Sequence, residues 1–331
     1  TTYHMIAYES FLNESPKKAV SQMNIFSCNP LLIQMRDDYF ECDTVPYQCQ
    51  SRIGFTVVGN HPVIFPEEAG LVWGSDLTKI VILQTQFQIP KEYNLNTDGK
   101  IVNNSGFNVF FTNKLRQYDI GVSKIGPEFS DISIPAGKSY YLLEDKCGKD
   151  CINSGQSEDI YAIAYGFAGN NLLKDIRFTV TNSSGTTDEE TLTYMNYDLN
   201  NQVYIPTNKP YKIQRGDEIG LQCWYDSSDK TTSTLGGEES NKEKCFGFLM
   251  YYPKEAGLSR CSETSGEICQ RNTKLERIES DEDLDRRDML FKDPFNPLSD
   301  GSVVIVGNGD NSSITTVIDY LLIVALICIG L

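Results

Sequence analysis

No part of this 331-residue chain sustains a helical apolar period, and that constrains its fold more than any other feature. The apolar residues come in short runs: HMIAY (4–8), FTVVG (55–59), FNVFF (107–111), IYAIAYGF (160–167), IRFTVT (176–181), EIGLQCWY (218–225) and CFGFLMYY (245–252). Gly, Pro, Asn and Asp punctuate the sequence between them. Runs of this kind, bounded by turn residues, read as strands of an all-β protein. The abundant Tyr (18) and Phe (16) suit half-buried strands. The texture repeats in two blocks, so two tandem β-sandwich domains are expected, at 1–132 and 133–270, with the boundary near Pro135-Ala136-Gly137. The stretch 215–253 reads as a hairpin-like pair of strands joined by a Cys223–Cys245 disulfide.

Ten cysteines stand at 28, 42, 49, 147, 151, 223, 245, 261, 269 and 328, and none forms a CxxC pair. With only His4 and His61 beside them, a zinc site is poorly supported, and disulfides in a secreted or lumenal setting are the expectation. Four Asn-x-Ser sequons, at Asn13, Asn103, Asn182 and Asn311, agree with N-glycosylation, although each is weak alone and Pro16 follows the sequon of Asn13. The net charge of -16 argues against nucleic-acid binding, which needs a basic footprint. Residues 1–8 already read like strand interior. The natural start is therefore expected upstream, with one of Cys28, Cys42 and Cys49 pairing there.

Composition changes after Gln270. Residues 271–313 are charged and then Pro-containing, and read as an extended arm or linker. Its Asp281-Glu282-Asp283 run reads as a solvated charge run, because no calcium-loop geometry accompanies it. Residues 314–331 are expected to be a hydrophobic membrane segment. The apolar run 320–331 is shorter than the roughly 20 residues that span a bilayer. A transmembrane helix cut short and a GPI-attachment signal beginning near Asn311-Ser312-Ser313 both fit. A buried core strand is the least favoured reading of this run.

Five stretches, in order, give the chain a family resemblance. They are FPEEAGLVWG (65–74), SGFNVFFTNKLRQYDIGV (105–122), the pair Cys147 and Cys151, YDLNNQ (197–202) and the block 215–253. Together they resemble the copper type II ascorbate-dependent monooxygenases, the family of dopamine β-hydroxylase and peptidylglycine α-hydroxylating monooxygenase. The resemblance implies two jelly-roll-like sandwiches with a solvent-filled cleft between them. It implies two copper ions, one relaying electrons from ascorbate and one activating O2. It also implies the disulfides Cys223–Cys245, Cys147–Cys261 and Cys151–Cys269. Because Ser10 replaces a family cysteine, Cys28–Cys49 is a weaker expectation.

Imidazole and thioether ligands suit a copper that cycles between Cu(I) and Cu(II), and the resemblance locates where they belong. The His-His-Met pair of the electron-transfer copper falls on Tyr3-His4-Met5, and its later histidine on Gln86. The His-x-His pair of the oxygen-activating copper falls on Tyr165-Gly166-Phe167, and its methionine on Lys244. Phe167 has no lone pair, a neutral Tyr165 is a weak ligand, and a lysine ammonium has no acceptor. Five imidazoles are needed and the whole chain has two histidines. His4 is expected to be a hydrogen-bonded strand histidine, and His61 a loop histidine.

The expectation is therefore a pseudoenzyme with no cofactor. It would be an extracellular, membrane-anchored glycoprotein of the secretory pathway, acting with protein partners in a surface assembly or filament. Two alternatives are a copper- and ascorbate-dependent monooxygenase with non-standard ligands, and a cleft that binds a small ligand or peptide without chemistry. The tripeptide Arg215-Gly216-Asp217 spells an adhesion motif but reads as a structural turn. Trp73 and Trp224 read as core or sandwich-edge packing rather than sugar platforms.

Overall fold

The structure, a computed structural model, describes residues 2–11, 14–15, 20–28, 40–41, 51–56, 62–74, 80–87, 102–103, 105–147, 158–189, 191–237, 239–255, 258, 260–261, 303–307 and 322–329. Among the described residues there are strands and two short 3-10 turns, Phe129–Asp131 and Leu199–Asn201, and no α-helix. They divide into two units, Thr1–Asp119 with Glu276–Leu331, and Ile120–Leu275.

In the first unit one sheet runs in the order Tyr118–Asp119, Ala69–Trp73, Tyr3–Phe11, Gly106–Thr112, Val303–Gly307. A second runs Phe40–Glu41, Leu322–Ile329, Ile80–Phe87, Val20–Cys28, Ser51–Thr56, and Glu14–Ser15 pairs with Val102–Asn103 in a two-stranded sheet. Period-two alternation turns Phe107, Val109 and Phe111 inward from the Gly106–Thr112 strand. The Tyr8 ring of the first sheet packs over Gly54 of the second, edge-on to Phe65 and Phe107.

The second unit is a sandwich of two five-stranded sheets. One has the order Ile205–Ile213, Ile160–Ala168, Phe246–Tyr252, Gly121–Ile125, Arg260–Cys261. The other joins Tyr141–Cys147, Glu218–Tyr225, Leu173–Thr181 and Thr187–Asp188, with Thr193–Tyr194 paired to Leu173–Thr181. Phe246–Tyr252 is central and buried at every residue, which explains its uninterrupted apolar sequence. Phe167 of one sheet meets Phe178 of the other at 5.2 Å between ring centroids.

Three expectations change. The division falls at Asp119/Ile120 rather than after residue 132, because Gly121–Ile125 hydrogen-bonds to Phe246–Tyr252 in the second unit. The strands of the 215–253 block are not a hairpin. Glu218–Tyr225 pairs with Tyr141–Cys147 and Leu173–Thr181, whereas Phe246–Tyr252 pairs with Ile160–Ala168 and Gly121–Ile125. Residues read as arm and membrane segment contribute strands: Val303–Gly307 lies antiparallel to Gly106–Thr112, and Leu322–Ile329 parallel to Ile80–Phe87. Leu322–Ile329 is thus described as a strand, the secondary structure of the reading ranked last on sequence. Among the described residues no helix is long and apolar enough to cross a membrane.

The two cystines among the described residues of the second unit cross between its sheets. Cys223 and Cys245 are joined across 6.0 Å between Cα atoms, and Cys147 and Cys261 across 5.1 Å. Their half-cystines are fully buried or nearly so. The pairings Cys151–Cys269 and Cys28–Cys49 involve Cys151, Cys269 and Cys49, which lie outside the described residues, as do Cys42, His61, Asn13 and Asn311. In the chain-entropy account, a bond spanning 22 residues stabilises by about 3 kcal/mol and one spanning 114 by about 5. The double replacement C223S/C245S is therefore expected to lower the unfolding free energy by roughly 3 kcal/mol. Chemical denaturation followed by Trp fluorescence reads this, and an unchanged midpoint would refute the crosslink's contribution.

Candidate functional site

The six positions that the resemblance assigns to ligands are distributed over both units, Tyr3, His4 and Gln86 in the first and Tyr165, Phe167 and Lys244 in the second. His4 lies in the Tyr3–Phe11 strand between Val72 and Thr112 and is 1% exposed. Its Nδ1 accepts the backbone N–H of Arg116 at 2.9 Å, so that nitrogen carries no proton in this arrangement. Nε2 is then the protonated nitrogen, and donates to the Asp119 carboxylate at 3.0 Å. Both imidazole nitrogens are spent on protein partners. The ring packs against Gly70, where a Cβ would fall 2.5 Å from the Cβ of His4, so the close approach of the two strands requires glycine there.

Arg116 also secures the turn that carries the family resemblance. Its guanidinium donates to the carbonyls of Phe65, Pro66 and Ala69. Burial pulls its pKa below the usual guanidinium value, against the opposing pull of Glu67 and Glu68. Tyr3 meets Phe111 edge-on at 5.8 Å. Gln86 is exposed on the other sheet of this unit, in register with Gln22 and Cys328. No hydrogen bond links Gln86 to His4.

In the second unit Tyr165 and Phe167 point from one face of the Ile160–Ala168 strand into the core. Phe167 is 1% exposed and sits between the rings of Tyr165 and Phe178. The Tyr165 hydroxyl donates to the Thr193 carbonyl at 3.2 Å, and burial raises its pKa, keeping it a neutral phenol. Lys244 is half-buried. Its carbonyl accepts the Tyr225 hydroxyl at 2.7 Å, which holds the backbone at this position against the core.

Beside Lys244 stands a residue that sequence reasoning missed. Glu243 is 1% exposed, and its carboxylate accepts the backbone N–H groups of Asn170 at 3.0 Å and Leu172 at 2.7 Å. Asn170 reciprocates through Nδ2, which donates to the carbonyls of Glu239 and Lys242. Turn 169–172 and loop 239–243 are thus clamped together. Burial raises the Glu243 pKa, and the hydrogen bonds from backbone N–H groups oppose it. In sequence Glu243 looks like its exposed neighbour Glu239, so no local signal distinguishes it.

A copper ion does not fit these residues. One imidazole remains, with both nitrogens engaged. At the other position stand a buried phenyl, a buried phenol already donating, and a cationic side chain. The remaining motifs are structural. Asp217 is 5% exposed and accepts the backbone N–H of Gln214 at 2.8 Å, so its carboxylate closes the Arg215-Gly216-Asp217 turn and is not presented for adhesion. Trp73 is buried against Phe111. Trp224 lies on the outer face of its sheet, stacked by Tyr140 at 6.1 Å with the Arg177 guanidinium 4.7 Å away.

Comparison with known proteins identifies the family. Residues 1–94 match the model of the copper type II ascorbate-dependent monooxygenase N-terminal domain, and residues 118–280 that of its C-terminal domain. The dopamine beta-hydroxylase of Canis lupus familiaris is 23% identical over 263 residues, covering 76% of this chain and 41% of the relative. The DBH-like monooxygenase protein 1 of Gallus gallus is 24% identical over 273 residues, covering 78% and 43%. The tyramine beta-hydroxylase of Caenorhabditis briggsae is 23% identical over 316 residues, covering 91% and 50%. The chain spans about two fifths to one half of the length of these relatives.

Replacing Glu243 by Gln keeps its volume but sets an amide N–H against one of the two backbone donors. The expected loss is about 1–3 kcal/mol of unfolding free energy. Urea denaturation measures it, and a variant as stable as the parent would show that the clamp contributes nothing.

Proposed function

We propose that this chain, which belongs to the copper type II ascorbate-dependent monooxygenase family, keeps that family's scaffold without its copper chemistry. The observation that carries the reading is the commitment of both His4 nitrogens to Arg116 and Asp119, in a chain with only one other histidine. A metal at His4 would have to displace a buried hydrogen bond. Phe167 offers no lone pair and the Lys244 ammonium repels a cation. The protein purified from its native source, exposed to copper and ascorbate and then desalted, is expected to retain far less than one copper per chain. It should also consume no oxygen in an ascorbate-dependent manner. Two stoichiometric coppers, or substrate-dependent oxygen uptake, would overturn the proposal in favour of an enzyme with unfamiliar ligands.

The same reading places the chain in the secretory pathway and at the cell surface, acting by protein contact in an assembly. Its support is the pair of cystines between the sheets of the second unit, which suit an oxidising compartment, together with the sequons. Dopamine beta-hydroxylase and tyramine beta-hydroxylase, to which the chain is similar, are named as hydroxylases; this chain would keep their scaffold for a different use.

Membrane attachment through the apolar run 320–331 belongs to the proposal. Attachment requires the run to leave the sheet in which Leu322–Ile329 pairs with Ile80–Phe87. Cross-linked intact cells, followed by detergent phase partition with and without a phosphatidylinositol-specific lipase, separate these fates. Recovery in the detergent phase is expected, with cross-linked multimers. Lipase release would identify a GPI anchor. An uncross-linked chain partitioning wholly into the aqueous phase would exclude both membrane attachment and assembly.

A further inference from the structure

Of the four sequons, those of Asn103 and Asn182 are described, and the fold sets them apart. Asn182 follows the Leu173–Thr181 strand and opens the turn into Thr187–Asp188. Its backbone N–H donates to the Thr186 carbonyl at 2.9 Å, and its own carbonyl accepts from Gly185 at 3.0 Å. Its side-chain Oδ1 takes three donors: the Ser184 N–H at 3.0 Å, the Ser184 hydroxyl at 2.7 Å and the Thr186 N–H at 2.9 Å. None of these bonds uses Nδ2. Residues 183–186 around it are exposed. The third sequon residue, Ser184, therefore already donates its hydroxyl to the carboxamide it must assist.

Asn103 is placed otherwise. It is paired with Glu14 in a strand ladder, and its sequon hydroxyl belongs to Ser105, which is 0% exposed. We propose that Asn182 is an N-glycan acceptor of this chain, its side chain held in acceptor geometry by the turn. The inference rests on the secretory-pathway reading above and selects the site within it. The donor class is an oligosaccharide carried on a lipid diphosphate. Hydrogen bonds to Oδ1 draw electron density onto oxygen and make the Nδ2 protons more acidic. Nδ2 bonds to the anomeric carbon of the first sugar as a base takes one of its protons. The bond from that carbon to the diphosphate oxygen breaks, and the electron pair leaves with the diphosphate. A glycan here keeps partner proteins away from this turn, so assembly contacts must lie elsewhere on the chain.

The test is expression of the full chain in a eukaryotic secretory host, with glycosidase treatment, gel mobility and peptide mass spectrometry. Asn182→Asp keeps an oxygen for the three donors and removes the nucleophile. Ser184→Ala removes the hydroxyl and leaves both backbone donors in place. Each is expected to lose one glycan and retain the parent's thermal midpoint, whereas Ser183→Ala keeps the glycan. An unmodified Asn182 in a chain that carries glycans elsewhere, or that reaches the medium or cell surface without glycans, overturns the inference. A chain that stays in the cytosol without glycans overturns the secretory reading beneath it.

Discussion

The second unit depends on covalent attachment between its two sheets. Cys223 and Cys147 leave one sheet, and Cys245 and Cys261 meet them from the other side of the core. Each bond removes freedom from the unfolded chain, the more so because the loops they close are long. Around the bonds Phe167, Phe178, Leu221, Leu249 and Tyr251 form a continuous apolar filling. Two of the cystines that the family resemblance implies are present, and the positions it assigns to ligands in this unit carry Tyr165, Phe167 and Lys244. A buried phenyl at residue 167 adds to the core what a ligand there would have withheld from it.

The first unit depends on a polar counterpart of that arrangement. His4 is buried, so each of its nitrogens needs a partner. Arg116 and Asp119 supply them from more than a hundred residues along the chain. Arg116 simultaneously binds the Phe65–Ala69 turn through three carbonyls. A histidine that retained a free nitrogen would leave a metal-competent donor in the core. Here the second-residue partners convert it into a strut between the Tyr3–Phe11 strand and the segment 116–119.

Much of this was legible in the sequence, and the failures have physical causes. Strand existence followed from apolar period and turn residues. Pairing was less accessible. Period two states which face a side chain takes, and leaves open which strand lies alongside. That is why residues 218–225 and 246–252, close in sequence and linked by a disulfide, looked like a hairpin but belong to facing sheets. The apolar run 320–331 has the composition of both a membrane segment and a buried parallel strand, and composition alone does not separate them.

Residue chemistry alone set two histidines against the five imidazoles that the family resemblance calls for. It also determined an all-β fold, because no segment has a helical apolar face. Only the tertiary structure decided the state of His4, since its tautomer is set by Arg116 and Asp119 at a sequence distance no local pattern spans. The tertiary structure likewise made Glu243 a clamp and left its neighbour Glu239 at the surface. Burial and hydrogen-bond partners, not residue type, decide what a buried polar side chain does.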